Sequence, residues 1–166
     1  DIGCHWCDVK ESWDENSHPI ISVEEIVKKS VGFSDCVVVT GGEPLMWNMN
    51  PLTKALKRLS KKTHIETSGA YPLTGFWDWI CLSPKKAKLP IQDAYNNANE
   101  LKIIIYNNHD FKFAEKEAKK VNKNAILYLQ PEWGKREEMM PLMVDFIKKN
   151  PKWKISLQTH KYLNIP

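Results

Sequence analysis

Nowhere in this sequence do about 18 apolar residues run together, the length a helix needs to cross a bilayer, so no membrane-spanning helix is expected. Nor does a short apolar segment follow a basic start, so no secretory signal peptide is read. Cysteine is scarce, with four residues in 166. That is too few for a disulfide scaffold in a chain of this length, and it favours a reducing cytoplasm. Internal repeats, low-complexity tracts and linkers are absent too, which leads us to expect one domain over 1–166. An initiator Met is missing, and the first residues already read as a loop motif. We therefore expect a chain that lacks its natural N-terminal strand.

What is present is the composition of a globular domain: 42% hydrophobic and 27% charged residues. The formal net charge is +4, with lysines spread along predicted helices rather than gathered in one block. That is the pattern of a solvated basic surface, so neither nucleic acid nor membrane is expected as a partner.

Apolar, β-branched runs alternate with amphipathic stretches. Strands are read at 36–44 (CVVVTGGEP), 63–69 (THIETSG), 79–85 (WICLSPK), 100–106 (ELKIIIY), 125–132 (AILYLQPE) and 153–161 (WKISLQTHK). Helices are read at 22–31, 51–62, 110–121 and 135–149. The first opens with a capping box, Ser22 and Glu25, and the second carries Pro51 in its first turn. Such alternation implies an α/β fold with parallel strands and crossover helices. The polar ends GGEP, TSG, SPK, QPEW and QTHK each follow an apolar run. In parallel α/β folds ligands gather beyond the carboxyl ends of strands, so these tips are the expected binding rim.

Two motifs carry chemistry. Cys4 and Cys7, in CHWC, suit half of a zinc site, a redox pair, or two of three thiolates holding an iron–sulfur cluster. Zinc wants four ligands. However, Cys36 and Cys81 fall inside predicted strands, and His18, His64 and His109 show no pairing. A redox CxxC belongs at a strand-to-helix turn, whereas the DVKESWDENSHP that follows is polar and irregular. Spacing alone leaves all three open. In GGEP, Gly41 and Gly42 let the backbone approach a ligand closely, and Glu43 offers a carboxylate to an ammonium group. Alone, the motif reads as a tight turn with an exposed acid.

Taken together, CHWCDVKESWD, TGGEP, ETSG, LSPK, YLQPE and the terminal QTHKYLNIP resemble, in order, the 7-carboxy-7-deazaguanine synthase family. That family lies within the radical S-adenosylmethionine (SAM) superfamily, and the resemblance covers essentially the whole chain. It implies a partial, open (β/α) barrel, truncated here at its N-terminus. It also implies a [4Fe–4S] cluster held by a C-x3-C-x2-C loop, with Cys4 and Cys7 in its second and third positions and the first falling before Asp1. A chain of these residues alone is therefore expected to be inactive.

The resemblance further assigns Trp6, Cys7, Asp8, Gly41, Gly42, Glu43, Gly69, Ser83, Pro84, Lys85, Gln130, Pro131, Glu132 and Trp133 to SAM. Thr67, His160 and the carboxylate of Pro166 are assigned to a pterin substrate. The family often places Thr or Ser after CxxCD as a contact to Mg2+. Val9 stands there in this chain and has no side-chain oxygen, which leaves three alternatives: Mg2+ held by substrate and water oxygens, another ion in its place, or no metal site. The implied reaction begins with one-electron cleavage of SAM to a 5′-deoxyadenosyl radical, which takes hydrogen from 6-carboxy-5,6,7,8-tetrahydropterin. Ring contraction with loss of ammonia then gives 7-carboxy-7-deazaguanine, a step of queuosine and other 7-deazapurine biosynthesis that feeds tRNA modification. An external electron donor and a homodimer are implied as well. The rival readings are another radical SAM enzyme, such as a glycyl-radical activase, and a non-catalytic zinc-binding module.

Overall fold

The computed structural model describes Ile2, Gly3, Cys7, Lys10, Asp14 and residues 18–165. Its strands are β1 (Cys36–Val39), β2 (Lys62–Thr67), β3 (Trp79–Leu82), β4 (Glu100–Ile105), β5 (Ile126–Pro131) and β6 (Trp153–Ile155). They stand in chain order in a six-stranded sheet that does not close on itself. Every pairing whose register is described is parallel. The helices are α1 (Val23–Ser30), α2 (Asn50–Arg58), α3 (Gln92–Asn97), α4 (His109–Ala118), α5 (Arg136–Lys149) and α6 (Thr159–Leu163). The expected open α/β fold with parallel strands is thus present. Among the described residues, no helix is long and apolar enough to cross a membrane. The chain divides into two compact units, one ending at Ala98 and the other beginning at Asn99.

In the first unit, α1 starts as its sequence dictates. Ser22 Oγ accepts from the Glu25 N–H at 3.2 Å, and Glu25 Oε2 accepts from the Ser22 N–H at 3.1 Å. The cap satisfies two amides that the helix itself leaves unpaired. In β2 the side chains alternate, and Thr63, Ile65 and Thr67 are buried. Ile65 packs with Leu45 and Ile80, and Met49, Tyr71, Leu73 and Trp77 close around them. Between β2 and β3 the chain crosses over without a helix, so the loop's backbone groups need other partners. The start of α2 provides them. Gly75 N–H donates to Asn50 Oδ1 at 2.9 Å, and Phe76 N–H donates to Oγ1 of the fully buried Thr53 at 3.1 Å. Asp78 accepts from Lys57 Nζ and from the Thr63 N–H. Those two hydrogen bonds, the lysine's first, hold its carboxyl below the usual aspartate range.

In the second unit β4 and β5 pair from Glu100↔Ile126 to Ile105↔Pro131, and β6 pairs with β5 up to Leu129↔Ile155. Leu101, Ile103, Ile105, Leu129, Met139, Met143 and Trp153 are almost wholly buried. Each such side chain contributes on the order of 1.5–3 kcal/mol relative to leaving it in water. Trp153 keeps its indole N–H satisfied inside this core by donating to Glu115 Oε1 at 2.6 Å.

Two expectations are corrected. The strand read at 153–161 stops at Ile155, and 159–163 is helix α6 instead. Apolar alternation fails at Ser156, and Asn164 ends the new helix in the left-handed conformation with φ 54°. Helix α3, unread in the sequence, is a six-residue element that buries Ala94 and Tyr95. It is too short to display a helical period.

Candidate active site

Cys4, Trp6, Asp8, Val9 and Pro166 lie outside the described residues. Cys7 is half-buried and in no disulfide. Among the described residues no group of three or more His, Cys, Asp or Glu side chains is placed to hold a metal ion.

In the first unit three strand tips converge on one residue. The β1–β2 ladder ends at Val39↔Ile65. Beyond it, Thr67 Oγ1 donates to Glu43 Oε1 at 2.6 Å, and the Thr67 carbonyl accepts from the Ser83 N–H at 2.8 Å. GGEP, ETSG and LSPK are therefore tied together through Thr67. Glu43 is only 5% exposed and takes three more donors: Leu45 N–H at 3.1 Å, Ser68 N–H at 2.8 Å and the Ser68 hydroxyl. Each hydroxyl also accepts from the amide two residues on, Gly69 to Thr67 at 3.0 Å and Ala70 to Ser68 at 3.3 Å.

Beside this buried knot the backbone of Gly41 and Gly42 is exposed. Gly41 has φ +126°, and a Cβ there would meet nothing within 4 Å. This stretch of main chain is free to approach a ligand. Gly69 differs, being packed on all sides. Its φ is +71°, and an added Cβ would stand 2.4 Å from Leu82 Cδ1. At the third tip Ser83 and Pro84 are buried, and Lys85 Nζ donates to Ser83 Oγ at 2.7 Å.

The second unit has its own pair of tips. Gln130 and Pro131 end β5 buried, and Gln130 Oε1 accepts from Ser156 Oγ at 3.2 Å. Glu132 caps the turn that follows, accepting from the Gly134 N–H at 3.0 Å. Trp133 is ringed by the Arg136 guanidinium at 4.4 Å, Lys161 Nζ at 5.3 Å and Tyr162, edge-on at 5.0 Å. These contacts dock α6, on which His160 is exposed.

The reading from sequence did not single out Ser68, Tyr162, Lys161 or Arg136. Ser68 lay within the quoted ETSG motif. Lys161 and Tyr162 lay within the quoted QTHKYLNIP and Arg136 in no motif, and only the fold brings the three to Trp133. A cleft lined by Lys54, Lys57, Arg58 and Phe76 involves none of the strand tips.

An open parallel α/β sheet with polar tips past its strand ends defines an open (β/α) fold, the kind that binds ligands beyond the carboxyl ends of its strands. No family model matches the chain. Among curated proteins, the 7-carboxy-7-deazaguanine synthase of Flavobacterium psychrophilum is 63% identical over 166 residues, spanning 100% of this chain and 79% of that one. The synthase of Synechocystis is 49% identical over 99% of this chain and 79% of its own length. The crystal structure of QueE from Escherichia coli superposes with a TM-score of 0.81 at 24% identity, covering 95% of this chain and 80% of that one. The chain belongs to the 7-carboxy-7-deazaguanine synthase family.

Proposed function

We propose that the protein is a radical SAM ring-contracting carbon–nitrogen lyase. It would convert 6-carboxy-5,6,7,8-tetrahydropterin to 7-carboxy-7-deazaguanine with loss of ammonia, for queuosine and related 7-deazapurines. One observation supports this reading above the rest: Thr67 splices GGEP, ETSG and LSPK together beside an exposed, left-handed Gly41. The same motifs occur in a chain 63% identical to a synthase of that name.

On this reading Cys4 and Cys7 hold cluster iron. The Gly41–Gly42 backbone faces the amino-acid part of SAM; Gly69, Ser83, Pro84 and Lys85 in the first unit are assigned to SAM by the family resemblance, as are Gln130 to Trp133 in the second. The resemblance assigns Thr67 in the first unit, and His160 and the Pro166 carboxylate in the second, to the pterin. When bound, the cluster and SAM supply the one-electron chemistry, and the protein contributes position and exclusion of water. Leu45 and Ile80, packed with Ile65, supply the apolar core of the unit that carries the first tips. An external electron donor, a homodimer and a cytoplasmic location belong to the same proposal. Because position 9 is valine, Mg2+ enters it only as an ion held by substrate and water oxygens, with another ion or no metal as the alternatives.

The test is anaerobic reconstitution of the complete protein with iron and sulfide, then incubation with SAM, reductant and the carboxytetrahydropterin. Mass spectrometry is expected to find 7-carboxy-7-deazaguanine formed in step with substrate loss. Formation of 5′-deoxyadenosine only at a substrate-independent background, with no deazaguanine, would reject the proposal.

A further inference from the structure

We infer that Glu43 is a positioning residue, which fixes the Gly41–Gly42 backbone against Thr67 and does not itself receive the ligand's ammonium group. Only the identity of the ligand rests on the function proposed above. The reasoning about Glu43 comes from its lone pairs. An ionised carboxylate offers about four acceptor directions, two on each oxygen. Here Oε1 takes the Leu45 N–H at 3.1 Å and Thr67 Oγ1 at 2.6 Å. Oε2 takes the Ser68 N–H at 2.8 Å and the Ser68 hydroxyl. All four directions are filled by the protein's own donors. At 5% exposure the group is also out of reach of solvent.

An incoming ammonium group would have to displace one of these donors and leave it unpaired in the interior, which is costly. The carboxylate instead does the work of a ladder that has run out. Strand pairing between β1 and β2 ends at Val39↔Ile65. Glu43, four residues further on, bonds to Thr67 and Ser68, two and three residues past Ile65. Three charge-assisted hydrogen bonds there, from the Thr67 hydroxyl and from the N–H and hydroxyl of Ser68, replace the missing backbone rungs, while the Leu45 N–H bond caps the local turn. The exposed backbone of Gly41 and Gly42 is thereby held at one height relative to Thr67, leaving main-chain groups to meet the ligand.

Glu43→Gln tests the inference, because the amide keeps the shape but turns one acceptor into a donor facing donors. On the complete protein, titration calorimetry would compare SAM with its analogue lacking the α-amino group. A positioning role predicts that the substitution weakens both ligands by the same factor, about tenfold or more. A loss confined to SAM, or no loss for either ligand, overturns it.

Should the wild-type protein bind neither ligand, the functional reading fails while Glu43 is still tested by amide exchange. Glu43→Gln is expected to speed exchange at the Leu45 and Ser68 N–H groups at least tenfold, with the amides of α4 and α5 unchanged. Unchanged rates at Leu45 and Ser68 overturn the inference. If Glu43→Gln does not fold, Ser68→Ala removes one of the four donors and is subject to the same comparisons.

Discussion

Gly69→Ala isolates the physics of the β2 tip. Two penalties add at this position. A left-handed φ of +71° costs an L-residue on the order of 1–2 kcal/mol. The new methyl would also stand 2.4 Å from Leu82 Cδ1, 2.9 Å from Ala94 Cβ and 3.1 Å from Pro90 Cβ. Such overpacking costs roughly 1–3 kcal/mol. The substitution should therefore destabilise by about 2–5 kcal/mol. At roughly 3 °C per kcal/mol for a chain of this size, that lowers Tm by about 6–15 °C. Gly32→Ala is the control, since Gly32 has φ +86° but nothing within 4 Å of an added Cβ. It should lose the backbone part alone. Urea midpoints for the two variants, at unchanged m-value, give the packing part by difference. A cost for Gly69→Ala no larger than that for Gly32→Ala would refute the claim that the β2 tip is locked against Leu82 and α3.

Three further outcomes are expected. Thr67→Val leaves a buried acceptor on Glu43 and the Gly69 N–H short of a partner, and should cost about 1–3 kcal/mol in urea unfolding; a cost under about 0.5 kcal/mol would contradict the hub role. At Glu115, burial raises the carboxyl pKa, but hydrogen bonds from Lys152 and Trp153 outweigh it and the net direction is downward. A carboxyl depressed on folding adds stability above its unfolded pKa, near 4.3, and loses it as pH falls through the lower folded value. Tm of the wild type should therefore fall more steeply below about pH 4.5 than that of Glu115→Gln, and parallel curves would count against the pairing. Tyr162→Ala removes the edge contact to Trp133, typically worth about 0.5–1.5 kcal/mol, and should speed tryptic cleavage after Lys161 roughly 2- to 12-fold. An unchanged rate would mean that α6 docks by other contacts.

The sequence carried the architecture because its signals are local. The runs 100–106 and 125–132 are dense in Ile and Leu with polar ends, and each contains a strand of six residues, β4 and β5. Ser22 and Glu25 announced α1 by their spacing. Periodicity could not announce α3, which spans less than two turns, or the switch at 156–158 from strand to helix. The site divided along the same line. Residues contiguous in GGEP or ETSG were visible as motifs, but the bonding of Glu43 was not. A carboxylate beside two glycines reads as an open hand for a cation. It is filled because Thr67 and Ser68, more than twenty residues later, return parallel to β1 at the right height. Trp133 likewise gains Tyr162 and Lys161 only once α6 folds back in the second unit.

The most direct measurement is residue-resolved amide exchange of the complete protein with and without SAM under anaerobic conditions. The account predicts new protection at 40–43, 67–70 and 83–85, the three tips joined through Thr67. Protection confined to other segments, or none at saturating SAM, would contradict it.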